Sequence, residues 1–527
     1  MTETRWNGQG RLNLAEYRER VAGCWMGKNI GGTLGAPLEG RREIFDVKEY
    51  LQTGNGKPLP NDDLDLQLVW LKAVEDNGLY RIDEQLLGEY WLAHIVGPWN
   101  EYGIAKFNIA NGLIPPLSGL CNNDEWKNSN GAWIRSEIWA CLCPGMPDEA
   151  VKFAWCDACV DHAGEGIWAE LFTAALEAAA FVESDIDALL RIALNRIPPD
   201  CRVAQTIRLV MHEHEKHTDW KTVRNQVIEA NADLGWFQAP GNLGFVTIGL
   251  LYGECDFGKT ICLAVNCGDD TDCTGATCGA IMGILHGCSR IPEKWTAPIG
   301  HEIVTVALNT YLLDVPGNID ELTDRVIAAK WASETGNPAQ LLLTNGATTE
   351  IGEVFRRQLS EGAVLKDIPE RNSRTVALHC YFGTLYLEYE KSPIMHPGET
   401  QKLHLMFSCR QLFFDRAISL DWQLPEGWTM NSGPFQNIRT CGTWMFGIRT
   451  EITAGPFPNA FCRIPIKVRI SDRAAEDFVV VPFQCAGTVS TENVIPLQTG
   501  IERDARRKAV REYFRCMIEN KKNAVCL

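Results

Sequence analysis

The chain has 527 residues, 45% of them apolar and 22% charged, and carries a formal net charge of −17. That length exceeds what one hydrophobic core usually serves, so two domains are expected. The acidic balance argues against nucleic acid or an anionic membrane as the main partner, and it suits sites built from carboxylates.

The stretch from Met1 to Gly8 lacks the apolar core of a secretory signal, and no apolar run is long enough to span a bilayer; the expectation is a cytoplasmic chain. From about Gly10 to Ala332 the pattern is helical, with polar or Gly/Pro loops between the helices. Gly23, Gly27, Gly31 and Gly35 recur at four-residue spacing. Each helical glycine costs about 1 kcal/mol against alanine, so a stripe needs a reason, and close backbone packing is the usual one. Glu39 follows, after Ala36 and Pro37.

Next comes an acidic cluster, Asn61, Asp62, Asp63 and Asp65, directly before the helical run Leu68 to Val74. Cys156 and Cys159 form a CxxC pair, but a zinc site needs a second pair, and Cys141 with Cys143 is a poor one. Cys24, Cys262, Cys278 and Cys288 sit in apolar helical patterns and read as buried thiols. Small residues from Phe172 to Phe181 and the apolar repeat from Ile186 to Leu194 make two further helices, the second stopped by Pro198-Pro199. His212, His214 and His217 read as a solvated face.

A second cluster, Asp269, Asp270 and Asp272, again precedes a helix, which carries Gly275, Gly279, Gly283 and Gly287. The two glycine stripes predict helices that cross near the centre of the bundle. Single carboxylates at helix starts are routine caps. Three within four residues at two separate starts exceed capping, and such crowding calls for protons or a hard divalent cation.

After roughly Arg374 the period changes to two. Thr375 to Phe382, Leu385 to Tyr389, Lys402 to Phe407 and Ile464 to Ile470 read as strands, with turns at Pro397-Gly398 and Pro425-Glu426-Gly427. An antiparallel, immunoglobulin-like sandwich follows from that spacing. The division is thus an all-α domain over 1–335, a connector over 336–373, a β-sandwich over 374–495 and a tail over 496–527, with a helix from Ile501 to Lys521.

Taken together and in order, the motifs between residues 15 and 300 resemble the ADP-ribosylglycohydrolase family. They are the glycine helix running to Glu39, the Asn61-Asp62-Asp63-Leu64 helix start, Ser118-Gly119, Asn130-Gly131-Ala132 with Arg135, Asp157 to His162, and Gly268-Asp269-Asp270-Thr271-Asp272-Cys273. The resemblance implies an all-α catalytic domain with Mg²⁺ between the two Asp motifs, as one or two ions, Mn²⁺ or Ca²⁺ being alternatives. It implies metal ligands at Asn61, Asp62, Asp63, Asp270 and Asp272, acid/base roles for Glu39 and Asp63, and a substrate lining of Ser118, Gly119, Asn130, Gly131, Ala132, Arg135 and His162.

The implied reaction is hydrolysis of an ADP-ribosyl or related glycosidic bond by metal-positioned water. A sugar-catabolic glycosidase and a non-catalytic sugar-binding protein are the alternatives. The substrate is a small glycoside or an ADP-ribosylated group, and a homo-oligomer is compatible with all of these. Trp99, Trp126, Trp133 and Trp236 are candidates to stack on a base or sugar. Three departures stand out: Leu64 cannot ligate, Cys273 is a thiol where the family has a hydroxyl, and Lys28 follows Gly27 where it has Asp. Asp65 and Asp269 are extra carboxylates expected to compensate.

Overall fold

The computed structural model describes residues 10–489, apart from 311–312, 335–340, 347, 363–371, 410–415, 442–443, 446 and 472. Helix α1 (Leu14–Gly35) opens under Asn13, whose side chain accepts from the Glu16 backbone N–H at 3.0 Å. From Val21 to Gly35 every residue of α1 is buried. A helix buried on all sides belongs in the middle of a helical body, and α1 packs most extensively on the helix Thr271–His286.

The packing is antiparallel and backbone to backbone. A Cβ built on Gly23, Gly27 or Gly31 would run into the carbonyl of Gly283, Gly279 or Gly275, and one on Gly35 would run into Thr271. The crossing predicted from the two stripes is therefore present. Gly287 leaves the pattern: it caps its helix at φ 80°. The contact of Gly35 with Thr271 sets the C-terminal end of α1 beside the N-terminus of its partner. Helix α2 (Asp62–Asn77) starts at the same place, because the Asn61 amide packs against Gly32. Three helix ends converge.

The connector region returns to the helical body. Strand β2 (Leu342–Thr344) pairs in parallel with β1 (Arg11–Asn13), and the helix Glu353–Glu361 lies against Ile186–Leu194. No helix among the described residues is long and apolar enough to cross a membrane. Among the described cysteines there is no disulfide.

The C-terminal region is all β: β3 (Thr375–Cys380), β4 (Gly383–Tyr389), β5 (Ile394–Met395), β6 (Thr400–Cys409), β7 (Arg416–Trp422), β8 (Thr429–Met430), β9 (Phe435–Cys441), β10 (Trp444–Met445), β11 (Gly447–Thr453), β12 (Phe461–Ile470) and β13 (Glu476–Cys485). One sheet runs β3-β4-β6-β11-β8 and the other β10-β9-β7-β12-β13-β5. Leu385, Leu387, Leu403 and Leu405 of the first sheet and Ile418, Ile464, Ile466 and Val481 of the second share one core. Alternation along each strand produces that inner face. Pairing is antiparallel except between β13 and β5. Leu113, Leu117 and Cys121 of the helical body enter the same core, and Asn122 and Gln484 exchange amide hydrogen bonds at 2.9 Å. The predicted tail helix from Ile501 to Lys521 lies outside the described residues.

Candidate active site

The converging helix ends open on a narrow cleft of about 70 Å³. Its acidic end is built by Glu39, which ends the turn Ala36–Leu38, by Asp62 at the start of α2, and by Asp270 and Asp272 at the start of Thr271–His286. Carboxylate oxygens of Glu39, Asp270 and Asp272 all lie within 4.8 Å of one another, and Asp63, Asp272 and the Cys273 sulfur form a second such set. Asp272 belongs to both.

Several neighbours fix this end. Asn130 Nδ2 donates to Asp270 Oδ2 at 2.6 Å, and Trp133 Nε1 donates to Asn130 Oδ1 at 3.0 Å. Tyr102 Oη donates to Asp62 Oδ2 at 3.1 Å. Asp63 is fully buried, and its Oδ1 accepts no hydrogen bond. Burial pushes Asp63 upward and Asp270 up to about 7. Carboxylates so crowded keep protons until a cation replaces them. Burial, then the charges of Asp270 and Asp63, raise the Cys273 thiol, which stays neutral and is a poor partner for a hard ion. The oxygen set of Glu39, Asp270 and Asp272 fits a divalent cation.

Of the residues singled out from sequence, Glu39, Asp62, Asp270, Asp272, Asn130 and Gly131 line the cleft. Asn61 is the cap of α2, accepting from the Asp63 N–H at 2.9 Å. Asp63 is not among the residues that line the cleft; it faces Lys28 at 3.7 Å and accepts from Cys273 Sγ at 3.7 Å. Ser118, Gly119, Ala132, Arg135 and His162 stand behind the wall and are not part of it. Ser118 Oγ donates to the Val160 carbonyl at 2.6 Å, and Gly119 is small because the His162 backbone abuts it. Arg135 is enclosed by Asp157 and Asp161, each at 2.7 Å, and Asp161 is held at about 2 chiefly by that guanidinium against the effect of burial.

The expected compensation by Asp65 and Asp269 is corrected. Asp65 Oδ2 accepts from the backbone N–H groups of Val306 and Ala307 at 2.6 and 2.7 Å, and so anchors a loop. Asp269, at φ 67°, accepts from Asn242 Nδ2 at 3.1 Å and pairs with Arg42 at 3.7 Å. Among the tryptophans, Trp99 and Trp126 line the cleft, Trp133 is in the core, and Trp236 stacks on Phe237, itself a lining residue.

Two residues gain importance from the structure. Glu101, on the helix Asn100–Ala110, lines the cleft and is pushed up to about 7 by burial. Behind it His162 places Nε2 3.8 Å from Glu101 and 3.0 Å from Ser129 Oγ, while Nδ1 meets Asp161 at 2.7 Å. Lys28 is buried in α1, 2.6 Å from Glu137 and 3.7 Å from Asp63. Burial alone would lower its ammonium, but Glu137 and then Asp63 outweigh that and hold it charged. For Glu101 only a first-turn acid was visible in sequence, whereas Lys28 was visible as a break in a motif.

The family model described as ADP-ribosylglycohydrolase matches residues 13–334. No curated protein matches. A solved structure described as an ADP-ribosylglycohydrolase-related protein complex is 21% identical, with 61% of this chain and 100% of that one covered, at a TM-score of 0.44.

Proposed function

The chain belongs to the ADP-ribosylglycohydrolase family, and from that premise we propose that it is a divalent-cation-dependent hydrolase of an ADP-ribosyl or related ribosyl glycosidic bond. One observation carries the reading: Glu39 and the pair Asp270 and Asp272, distant from it in sequence, meet at one end of a cleft whose other walls are partly aromatic. Mg²⁺ is the first candidate, because hard ions take oxygen ligands of this kind. A cation bound there would polarise sugar hydroxyls and lower the pKa of a water beside the anomeric carbon.

The chain's own groups then have defined tasks. Asn130 holds the orientation of Asp270, and Tyr102 that of Asp62. Trp99, Trp126 and Phe237 offer faces to a base or sugar and exclude bulk water. Glu101 keeps its proton up to about pH 7 and serves as the general acid for the leaving atom. A group that must be protonated loses its function as pH rises through its pKa. At saturating metal, kcat/KM is therefore expected to fall above about pH 7. Glu101→Gln should lower the rate by roughly 10²–10⁴-fold and flatten that limb. A pH–rate profile of both proteins checks this, and an unchanged limb in the variant removes Glu101 from the role.

The reading as a whole is tested with ADP-ribosyl-arginine, ADP-ribosyl-serine, nucleosides and aryl glycosides, with Mg²⁺, Mn²⁺, Ca²⁺ or EDTA. Turnover of an ADP-ribosyl or ribosyl substrate, abolished by chelation and by Asp270→Ala, is the expected result. Hydrolysis indifferent to both overturns the proposed chemistry. Tight sugar binding without any turnover would make this a binding protein, a reading that the neutral Cys273 and apolar Leu64 favour.

A further inference from the structure

Two ligand sets share Asp272, and they differ in what stands behind them. The set of Glu39, Asp270 and Asp272 is all oxygen and faces the cleft. The set of Asp63, Asp272 and Cys273 includes a thiol and reaches back to Asp63, which is fully buried and does not line the cleft. Among the described residues only the second has an internal cation: Lys28 Nζ lies 3.7 Å from Asp63 Oδ1. The ammonium is fixed there. Glu137 Oε1 holds it at 2.6 Å, Glu137 Oε2 accepts from Gln67 Nε2 at 2.8 Å, and the same amide reaches the Asp63 carbonyl at 3.1 Å. Lys28, Glu137 and Gln67 are each 1% exposed or less.

We propose that Lys28 is a built-in counter-charge for Asp63, so that this chain takes one divalent cation, on Glu39, Asp270 and Asp272, and leaves the Asp63–Cys273 side without one. The inference rests on the metal-dependent reading above. A divalent ion bonded to Asp63 Oδ1 would sit within about 6 Å of the ammonium, given oxygen–metal distances near 2–2.6 Å. Repulsion between like charges in a water-poor site is screened little. Sulfur is a soft donor, so the Cys273 side chain is a poor ligand for a hard divalent ion.

The test is the stoichiometry of Mn²⁺ binding, by calorimetry and by electron paramagnetic resonance of free Mn²⁺, with thermal melts to confirm folding. Wild-type protein is expected to bind one equivalent. Asp63→Asn should keep that equivalent within about tenfold in affinity, while Asp270→Asn should weaken it by about a hundredfold or more. Lys28→Met should admit a second equivalent, and Lys28→Arg, which keeps the charge, should not. Two equivalents in the wild type overturn the proposal, as does an Asp63→Asn loss matching that of Asp270→Asn. A folded Lys28→Met protein that stays at one equivalent removes Lys28 from the role. If that variant fails to fold, the Asp63→Asn comparison decides. No Mn²⁺ bound at all, with turnover indifferent to chelation, would instead end the metal reading itself, a result distinct from finding two.

Discussion

An Asp272→Asn variant is expected to fold and to lose turnover by about 10³-fold or more, the equivalent of roughly 4 kcal/mol in the barrier. Asp272 is the one side chain common to both ligand sets, and it sits in the first turn of Thr271–His286 with 2% exposure. The amide keeps the size and one oxygen but removes the charge that a cation needs. Stability should move in the opposite direction to activity, because a carboxylate among Asp63, Asp270 and Glu39 is repelled when no cation is present. The cation-free variant should therefore melt no lower than the wild type. What it should lose is the rise in melting temperature with Mn²⁺, since a ligand that binds only the folded state stabilises by mass action. Steady-state kinetics and melts with and without Mn²⁺ measure both. Activity within tenfold of wild type would take Asp272 out of the site.

The parts of this arrangement that could be read from sequence are those written in local spacing. A four-residue glycine repeat falls on one helix face, so the facing stripes on α1 and Thr271–His286 were readable as a crossing from their spacing alone. Acidic runs at two helix starts likewise pointed to one shared site, and strand alternation after Arg374 to a sandwich. What stayed hidden depends on partners remote in the chain. Asp65 sits in the same acidic run as Asp62, yet its partners are backbone N–H groups 241 and 242 positions away. No pattern within the run announces that. Lys28 and Glu137 are 109 positions apart, so the lysine registered only as a departure. Arg135 shows the same limit: a motif arginine beside Asn130 reads as ligand-facing, but Asp157 and Asp161 enclose it completely. Glu101 became notable only because His162, Asp161 and the cleft wall surround it.

Gly27→Ala is expected to yield little folded protein, or protein destabilised by about 3 kcal/mol or more, because overpacking at a site that cannot relax is among the costliest substitutions. On an exposed helix the same change would be favourable by about 1 kcal/mol. Here the sign reverses. The added Cβ would stand under 3.0 Å from the Gly279 carbonyl, a backbone atom that no rotamer change can move aside. Relief requires pushing α1 away from Thr271–His286 along its length, since Gly23, Gly31 and Gly35 are equally close to the facing backbone. That separation also sets Glu39 beside Asp270 and Asp272, so any protein that does fold should bind Mn²⁺ more weakly and turn over more slowly. Gly241→Ala is the control: it lies in the helix Ala239–Tyr252, where an added Cβ would meet nothing within 4 Å, and it should be neutral or slightly stabilising. Thermal unfolding of both variants separates the cases. If Gly27→Ala melts within a degree or two of the control, the backbone contact between the two glycine stripes is not what sets the helix spacing, and the geometry of the carboxylate cluster must have another cause.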